Sequence, residues 1–308
     1  MRRAILTGLI LCLALTAQTY TAYRIDTFAG GPVPPSLTGA SANLGFFLTL
    51  AVNAAGDVYF ETGETILRLN LDGTITQIAG NGMFGSDGDG GAATQARIGH
   101  QCALAVDGTG AVYLTDSFSS QVRKVSDGII TTVAGGGETL QDGVPATAAQ
   151  LAGPSGVAVD LQGNLYISDS GNNVIREVSN GVITTIAGTG TAGFSGDGGP
   201  ALEAQFSNPC SLAIDFAGNL YVADVGNNRI RKVSNGTVST VAGTGAYAWG
   251  GPETGVAASA AIAMFQLSGL TPDAAGDLYI ATETSVQKLS GGMISTVAGV
   301  YPESHKMN

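Results

Sequence analysis

The sequence predicts an all-β fold of the β-propeller type, with five four-stranded blades and one lone N-terminal strand that leaves a sixth blade incomplete. Three observations carry that expectation. One unit returns five times along the chain. Each copy holds four short apolar runs rich in Val, Ile, Thr and Tyr. Asn-Gly, Gly-Asn and Asp-Gly pairs separate the runs, as tight hairpins require.

The unit is plainest in residues 153–190, GPSGVAVDLQGNLYISDSGNNVIREVSNGVITTIAGTG, and 206–245, FSNPCSLAIDFAGNLYVADVGNNRIRKVSNGTVSTVAGTG. Residues 98–137 form a further good copy, while Leu48–Gly80 and Leu270–Gly299 are weaker ones. The glycine ahead of each apolar-Tyr core falls at Gly56, Gly110, Gly163, Gly218 and Gly276, at spacings of 53 to 58 residues. That period exceeds most helical solenoids and suits a propeller blade with a long connection.

Within a copy, each run has its own place. GVAVD is small and nearly all apolar, as expected of an innermost strand packed on both faces. NLYISD follows a tight turn and sets Tyr59, Tyr113, Tyr166, Tyr221 and Tyr279 at equivalent positions. VIREV alternates, with Val174, Arg176 and Val178 opposite Ile175 and Glu177, so one face is expected to meet water. VITTIAG ends the unit as the outer strand. The connections carry alanines before Ile98, Leu151, Phe206 or Phe265, which predicts one helical turn pinning each loop. Near the start, Ile25–Ala29 (within RIDTFAGG) reads as a lone outer strand, and nothing after Gly299 supplies the three strands it needs. An open gap of that kind is expected to expose apolar surface and favour self-association; a remnant of a longer ancestor is the other reading.

GPSGVAVDLQGNLYISDSGNNVIREV and NPCSLAIDFAGNLYVADVGNNRIRKV resemble NHL repeats: a small-apolar strand, Asp, Gly-Asn-Leu-Tyr, Asp, then Asn-Arg-Ile. The resemblance fades in the first and fifth copies, which lack the Asn-Asn turn. It implies a propeller, usually of six blades, and no single activity.

Residues 1–22 carry Arg2, Arg3, a short apolar run and small residues near Ala17 and Ala22, the pattern of an export signal. Cys12 is a poor lipidation site, because Leu11 precedes it. The expected organisation is therefore a signal peptide at 1–22, the propeller at 23–300 and a short tail at 301–308, in the periplasm or outside the cell. No other segment offers the apolar length of a membrane span. With 13 basic against 24 acidic residues the net charge is −11, which disfavours nucleic acid. Cys102 and Cys210 occupy matching positions two blades apart, where their Cα atoms are expected to exceed disulfide reach; they read as small buried residues, with a disulfide in an exported chain as the alternative.

Chemistry is sparse. GTGTAG (188–193) follows an outer strand and opens no helix of a βαβ unit, so it is not read as a dinucleotide loop. His305 lies in the tail, leaving His100 alone in a repeat, and no G-x-S-x-G elbow exists. Asp107, Asp160, Asp215 and Asp273 after the first strand, and Asp116, Asp169 and Asp224 after the second, recur once per blade and read as turn acceptors. No catalytic, cofactor or metal residue is therefore assigned. SDGDGG (86–91) has some acids of a calcium loop without its full oxygen pattern or terminal Glu. Phe84, Leu140, Phe194 and Trp249 stand near the loop tips, either as caps on the neighbouring blade or as an aromatic binding face.

The leading expectation is a binding scaffold for a protein or carbohydrate. Its candidate ligand-face residues are Phe84, Phe194, Trp249, Asn172, Asn173, Asn227 and Asn228. The alternative is a lyase or lactonase-like hydrolase with a divalent metal in the central channel.

Overall fold

The computed structural model describes residues 49–99, 101–246, 256–258, 267–282 and 285–299. The expected signal peptide, the lone strand at Ile25–Ala29, His100, Trp249, the tail 301–308 and the side chain of Cys102 lie outside the described residues.

Five antiparallel meanders follow one another along the chain. The first blade contains β1 (Leu50–Val52), β2 (Val58–Glu61), β3 (Ile66–Leu69) and β4 (Ile75–Ala79). The second contains β5 (Gln101–Val106), β6 (Val112–Asp116), β7 (Gln121–Ser126) and β8 (Ile129–Gly135). In the third, β9 (Val144–Pro145) precedes β10 (Pro154–Val159), β11 (Leu165–Asp169), β12 (Val174–Ser179) and β13 (Val182–Ala187). The fourth has β14 (Pro209–Ile214), β15 (Leu220–Asp224), β16 (Arg229–Ser234) and β17 (Thr237–Ala242). In the fifth, β18 (Val256–Ala257) precedes β19 (Leu267–Pro272), β20 (Leu278–Thr282), β21 (Ser285–Ser290) and β22 (Met293–Gly299). The first strands β1, β5, β10, β14 and β19 pack on one another in chain order. The described residues thus form five blades of a β-propeller, each built on a four-stranded antiparallel sheet.

The connections do more than link blades. β9 pairs with β13, and β18 with β22, each as an added fifth strand on the outer edge. Single bridges Ala92–Ile129 and Pro200–Thr237 make the same contact on the second and fourth blades. Each incoming connection thus covers the edge strand that would otherwise present unpaired backbone groups. Those into the second, third and fourth blades then make one 3-10 turn, at Ala93–Gln95, Ala146–Ala148 and Ala201–Glu203, whose first alanine is buried between blades. Small residues are needed there because the turn wedges into a core already filled by Ile and Leu.

That core lies between blades, since a single sheet cannot bury both its faces. Val157 packs towards the second blade while its neighbour Ala158 packs towards the fourth, so the innermost strand is covered on both sides as expected. Tyr59, Tyr113, Tyr166 and Tyr221 fill successive interfaces. Tyr166 and Tyr279 are only half-buried.

Glycine is needed where the outer strand ends. Gly188 has φ +99°, and a Cβ there would lie 2.6 Å from the Asn173 carbonyl oxygen; Gly243 repeats this at φ +89° and 2.4 Å from that of Asn228. The glycines opening GTGTAG and its counterpart therefore let the outer strand pass the Asn-Asn turn.

The alternation on the third strand is real, and the arginine side of it is the covered one: Arg176 is 3% exposed, and Arg123 and Arg231 at the same register position are 0% exposed. On the other face Ile175 is buried and Glu177 is partly exposed. Ile175 points to the fourth blade, while Arg176 and Val178 point to the side where the incoming connection docks.

Candidate functional site

The turns between first and second strands and the third-to-fourth hairpins lie at one end of each blade. The second-to-third turns meet the connections at the other end. The Gly171 N–H donates to the Ala152 carbonyl and the Gly226 N–H to that of Ser207. Asn227 Nδ2 donates to the Gly193 carbonyl at 2.7 Å. A loop-rich face and a tight-turn face result.

Repeated carboxylates serve the blades at both ends. On the tight-turn side, Asp107 Oδ1 accepts the Thr109 and Ala111 N–H groups, and Asp160, Asp215 and Asp273 accept their own pairs. The Oδ2 atoms of Asp107, Asp160 and Asp215 accept the hydroxyls of Tyr113, Tyr166 and Tyr221 at 3.0–3.3 Å. Burial alone would push the Asp107 and Asp215 carboxyls up, but hydrogen bonds from the Thr109 hydroxyl to Asp107, from the Asn219 amide to Asp215 and from the turn N–H groups outweigh it and hold both below the ordinary value of 3.8. Their folded pKa lies below the unfolded one. Their stabilisation is therefore fully present above about pH 4 and is lost as pH falls through the lower folded value. Asp215→Asn should accordingly destabilise the chain at about pH 7 and differ less from the parent at about pH 2, measured by urea unfolding. An undiminished difference in acid would contradict the assignment.

On the loop-rich side, Asp169 accepts the Ala152 N–H and Asn172 Nδ2, and Asp224 accepts the Ser207 N–H and Asn227 Nδ2. Asp116 receives Gly99 and Ser119 N–H groups in the same manner. Burial raises the Asp169 and Asp224 carboxyls despite these donors and the adjacent arginines, a shift opposite in sign to that of Asp107.

The buried arginines tie each connection to its blade. Arg231 donates to Asp197, to the Ser195 and Gln205 carbonyls and to Asp224. Arg123 reaches Asp89 and the Asp87 and Arg97 carbonyls, and Arg176 reaches Asp142. The acids of SDGDGG are engaged in this way: Asp89 also accepts the Thr132 N–H, and Asp87 lies 3.6 Å from Arg97. Among the described residues no three His, Cys, Asp or Glu side chains are grouped to hold a metal ion.

The aromatic candidates differ from one another. Phe84 meets Phe118 edge-to-face at 4.7 Å between ring centroids, and Phe118 is 71% exposed. Phe194 lies under the Arg229 guanidinium at 3.7 Å and beside Arg231 at 4.8 Å, so it is partly spent on packing. Asn173 and Asn228 hold left-handed backbone at φ 54° and 49°, which Asn tolerates better than most residues. The Asn172 and Asn227 amides are committed to the aspartates. Sequence reasoning missed Phe118; it stands where the stronger copies have Gly171 and Gly226, a difference visible only once the copies are aligned.

No protein-family model matches the chain. Teneurin-1 of Mus musculus is 30% identical over 212 residues, 60% of this chain and 8% of the relative, so the chain spans under a tenth of that protein's length. Among solved structures, a protein of unknown function from Bacteroides thetaiotaomicron has a TM-score of 0.55 at 22% identity, covering 80% of this chain and 57% of its own. A gluconolactonase from Xanthomonas campestris has a TM-score of 0.53 at 13% identity over 83% and 76% of the two chains. An auxiliary nutrient-binding protein from Bacteroides ovatus has a TM-score of 0.52 at 14% identity over 85% and 61%. The chain is a repeat-built β-propeller. At these identities the likeness extends to fold alone, and the fold hosts both enzymes and binding proteins. Among the described residues, no helix is long and apolar enough to cross a membrane.

Proposed function

We propose that the chain is an exported NHL-type propeller that acts as a binding scaffold, recognising a protein or carbohydrate partner through its loop-rich face. The repeat motif and the similarity to teneurin-1 support the NHL-type reading; the pattern at 1–22 supports export. The observation that carries the binding role is the Phe84–Phe118 pair, two adjoining rings at a loop tip with Phe118 largely in water. Exposed aromatic surface on a rigid scaffold offers contact area at low entropic cost and suits a sugar ring or an apolar side chain. Of the candidate residues, Phe84 contributes contact surface together with Phe118, and the Asn turns hold the loops in place.

A glycan array probed with the wild-type chain, a Phe84→Ala/Phe118→Ala variant and a Leu161→Ala/Phe216→Ala variant tests this reading. Leu161 and Phe216 are exposed on the tight-turn face. The expected result is glycan binding that falls at least about fivefold in the loop-face variant and survives in the other. Binding lost only in the tight-turn variant would place recognition on the wrong face, and no glycan bound at all would remove the carbohydrate arm.

A further inference from the structure

We propose a second, separate binding site for a small hydroxylated carboxylate of the sugar-acid class, in the groove between the first and second blades, with Arg68 as its anion receptor. The argument starts from a position that every blade repeats. The third-strand residue opposite the core Tyr is Arg68, Lys124, Glu177, Lys232 or Lys288 in the five blades. Where a lysine stands there, a carboxylate from the first-strand turn is available to it. Lys124 lies 3.9 Å from Asp107, and Lys288 lies 3.6 Å from Asp273 and 2.7 Å from Asp277; Asp215 feels the charge of Lys232.

The first blade breaks this pattern. Asn53 replaces the turn aspartate, and its amide takes the Asp57 carboxylate at 3.1 Å. Among the described residues no carboxylate is bonded to Arg68, and its Nε is buried with no hydrogen-bond partner. The Arg176 Nε is likewise unpartnered, but every other arginine among the described residues pairs with a carbonyl or a carboxylate. A buried, unmatched guanidinium N–H is costly, and a carboxylate is the group whose two oxygens match its fork.

The space is present as well. Arg68 lines a cavity of about 330 Å³, within the range of small-molecule sites. The same groove between the fourth and fifth blades, beside Lys232, is about 170 Å³. Gln77, Thr94, Thr109 and Ser126 also line the larger one, over a floor that includes Val112 and Val125. Those groups suit the hydroxyls and C–H face of a sugar ring. Asp127 stands exposed at the edge, where it repels a second negative charge and selects a monoanion. The site opens among the tight turns and does not depend on the loop-rich face.

The test is isothermal titration with galacturonate, glucuronate, galactose, glucose and inorganic phosphate. The chains titrated are the wild type, Arg68→Gln, Asn53→Asp and Lys232→Gln, with circular dichroism to confirm folding. Asn53→Asp is the informative variant: it installs the carboxylate that other blades carry, and so satisfies Arg68 internally without removing any side chain from the core. The expected result is uronate binding to the wild type and to Lys232→Gln, reduced at least about tenfold by both Arg68→Gln and Asn53→Asp, with neutral sugars at least about tenfold weaker. Uronate affinity unchanged in Asn53→Asp, equal affinity for the neutral sugars, tighter binding of phosphate, or no uronate binding up to about 10 mM would each overturn the proposal. Because Phe84 and Phe118 are untouched, its failure leaves the loop-face reading intact.

Discussion

Replacing Arg231 with Ala is expected to lower the stability of the folded chain by about 3–5 kcal/mol, read as a shift of the urea midpoint. The guanidinium is 0% exposed. It bonds the connection through Asp197, Ser195 and Gln205 and the second strand through Asp224. It also stands over Phe206, 5.0 Å from the ring centroid. Removal leaves Asp224, itself 0% exposed, without its cation and frees the connection from the fourth blade. The penalty is mostly that of an abandoned buried charge, not the worth of the pair. The double variant Arg231→Ala/Asp224→Asn should therefore be less destabilised than the two single losses summed. Strict additivity would mean that the two groups do not act together.

Tyr113→Ala is expected to cost about 3–5 kcal/mol, the usual range for a large buried aromatic. The ring is 4% exposed at the interface of the second and third blades, its hydroxyl bonds Asp107 at 3.0 Å, and Lys124 stands 5.1 Å from its centroid. Tyr166→Ala should cost less, because Tyr166 is half-buried and faces Glu177 where Tyr113 faces Lys124. Leu161→Ala, at a position 74% exposed, should stay within about 0.5 kcal/mol. If Tyr113→Ala behaved like Leu161→Ala, the inter-blade packing would be wrongly described.

Much of this architecture was legible before any coordinates. Runs too short for helices, turn pairs at regular intervals and one Tyr per unit carry the blade on their own, because each is demanded by local backbone geometry or by the repeated interface. Asp107 and its equivalents were readable for the same reason, since an Asx turn is closed within four residues. What could not be read was set by distant parts of the chain. The alternation of VIREV does not say which face is covered, and it is the connection folding back with Asp142 that buries Arg176. The outer-edge strands β9 and β18 are two residues long and carry no period. Phe118 and Arg68 are departures from the repeat. Their meaning depends on what the other blades place at the same register, so they emerge only from comparison between blades.

We propose that the recurring acids are structural and that the propeller works by recognition. Equilibrium dialysis of the chain against Ca²⁺, Mn²⁺ or Zn²⁺, followed by elemental analysis, tests it most directly. Because Asp89, Asp107, Asp116, Asp169, Asp215 and Asp224 already accept donors from the blades, the account predicts bound metal well below one ion per chain. One tightly held divalent ion per chain would contradict it and return the enzyme reading to the front.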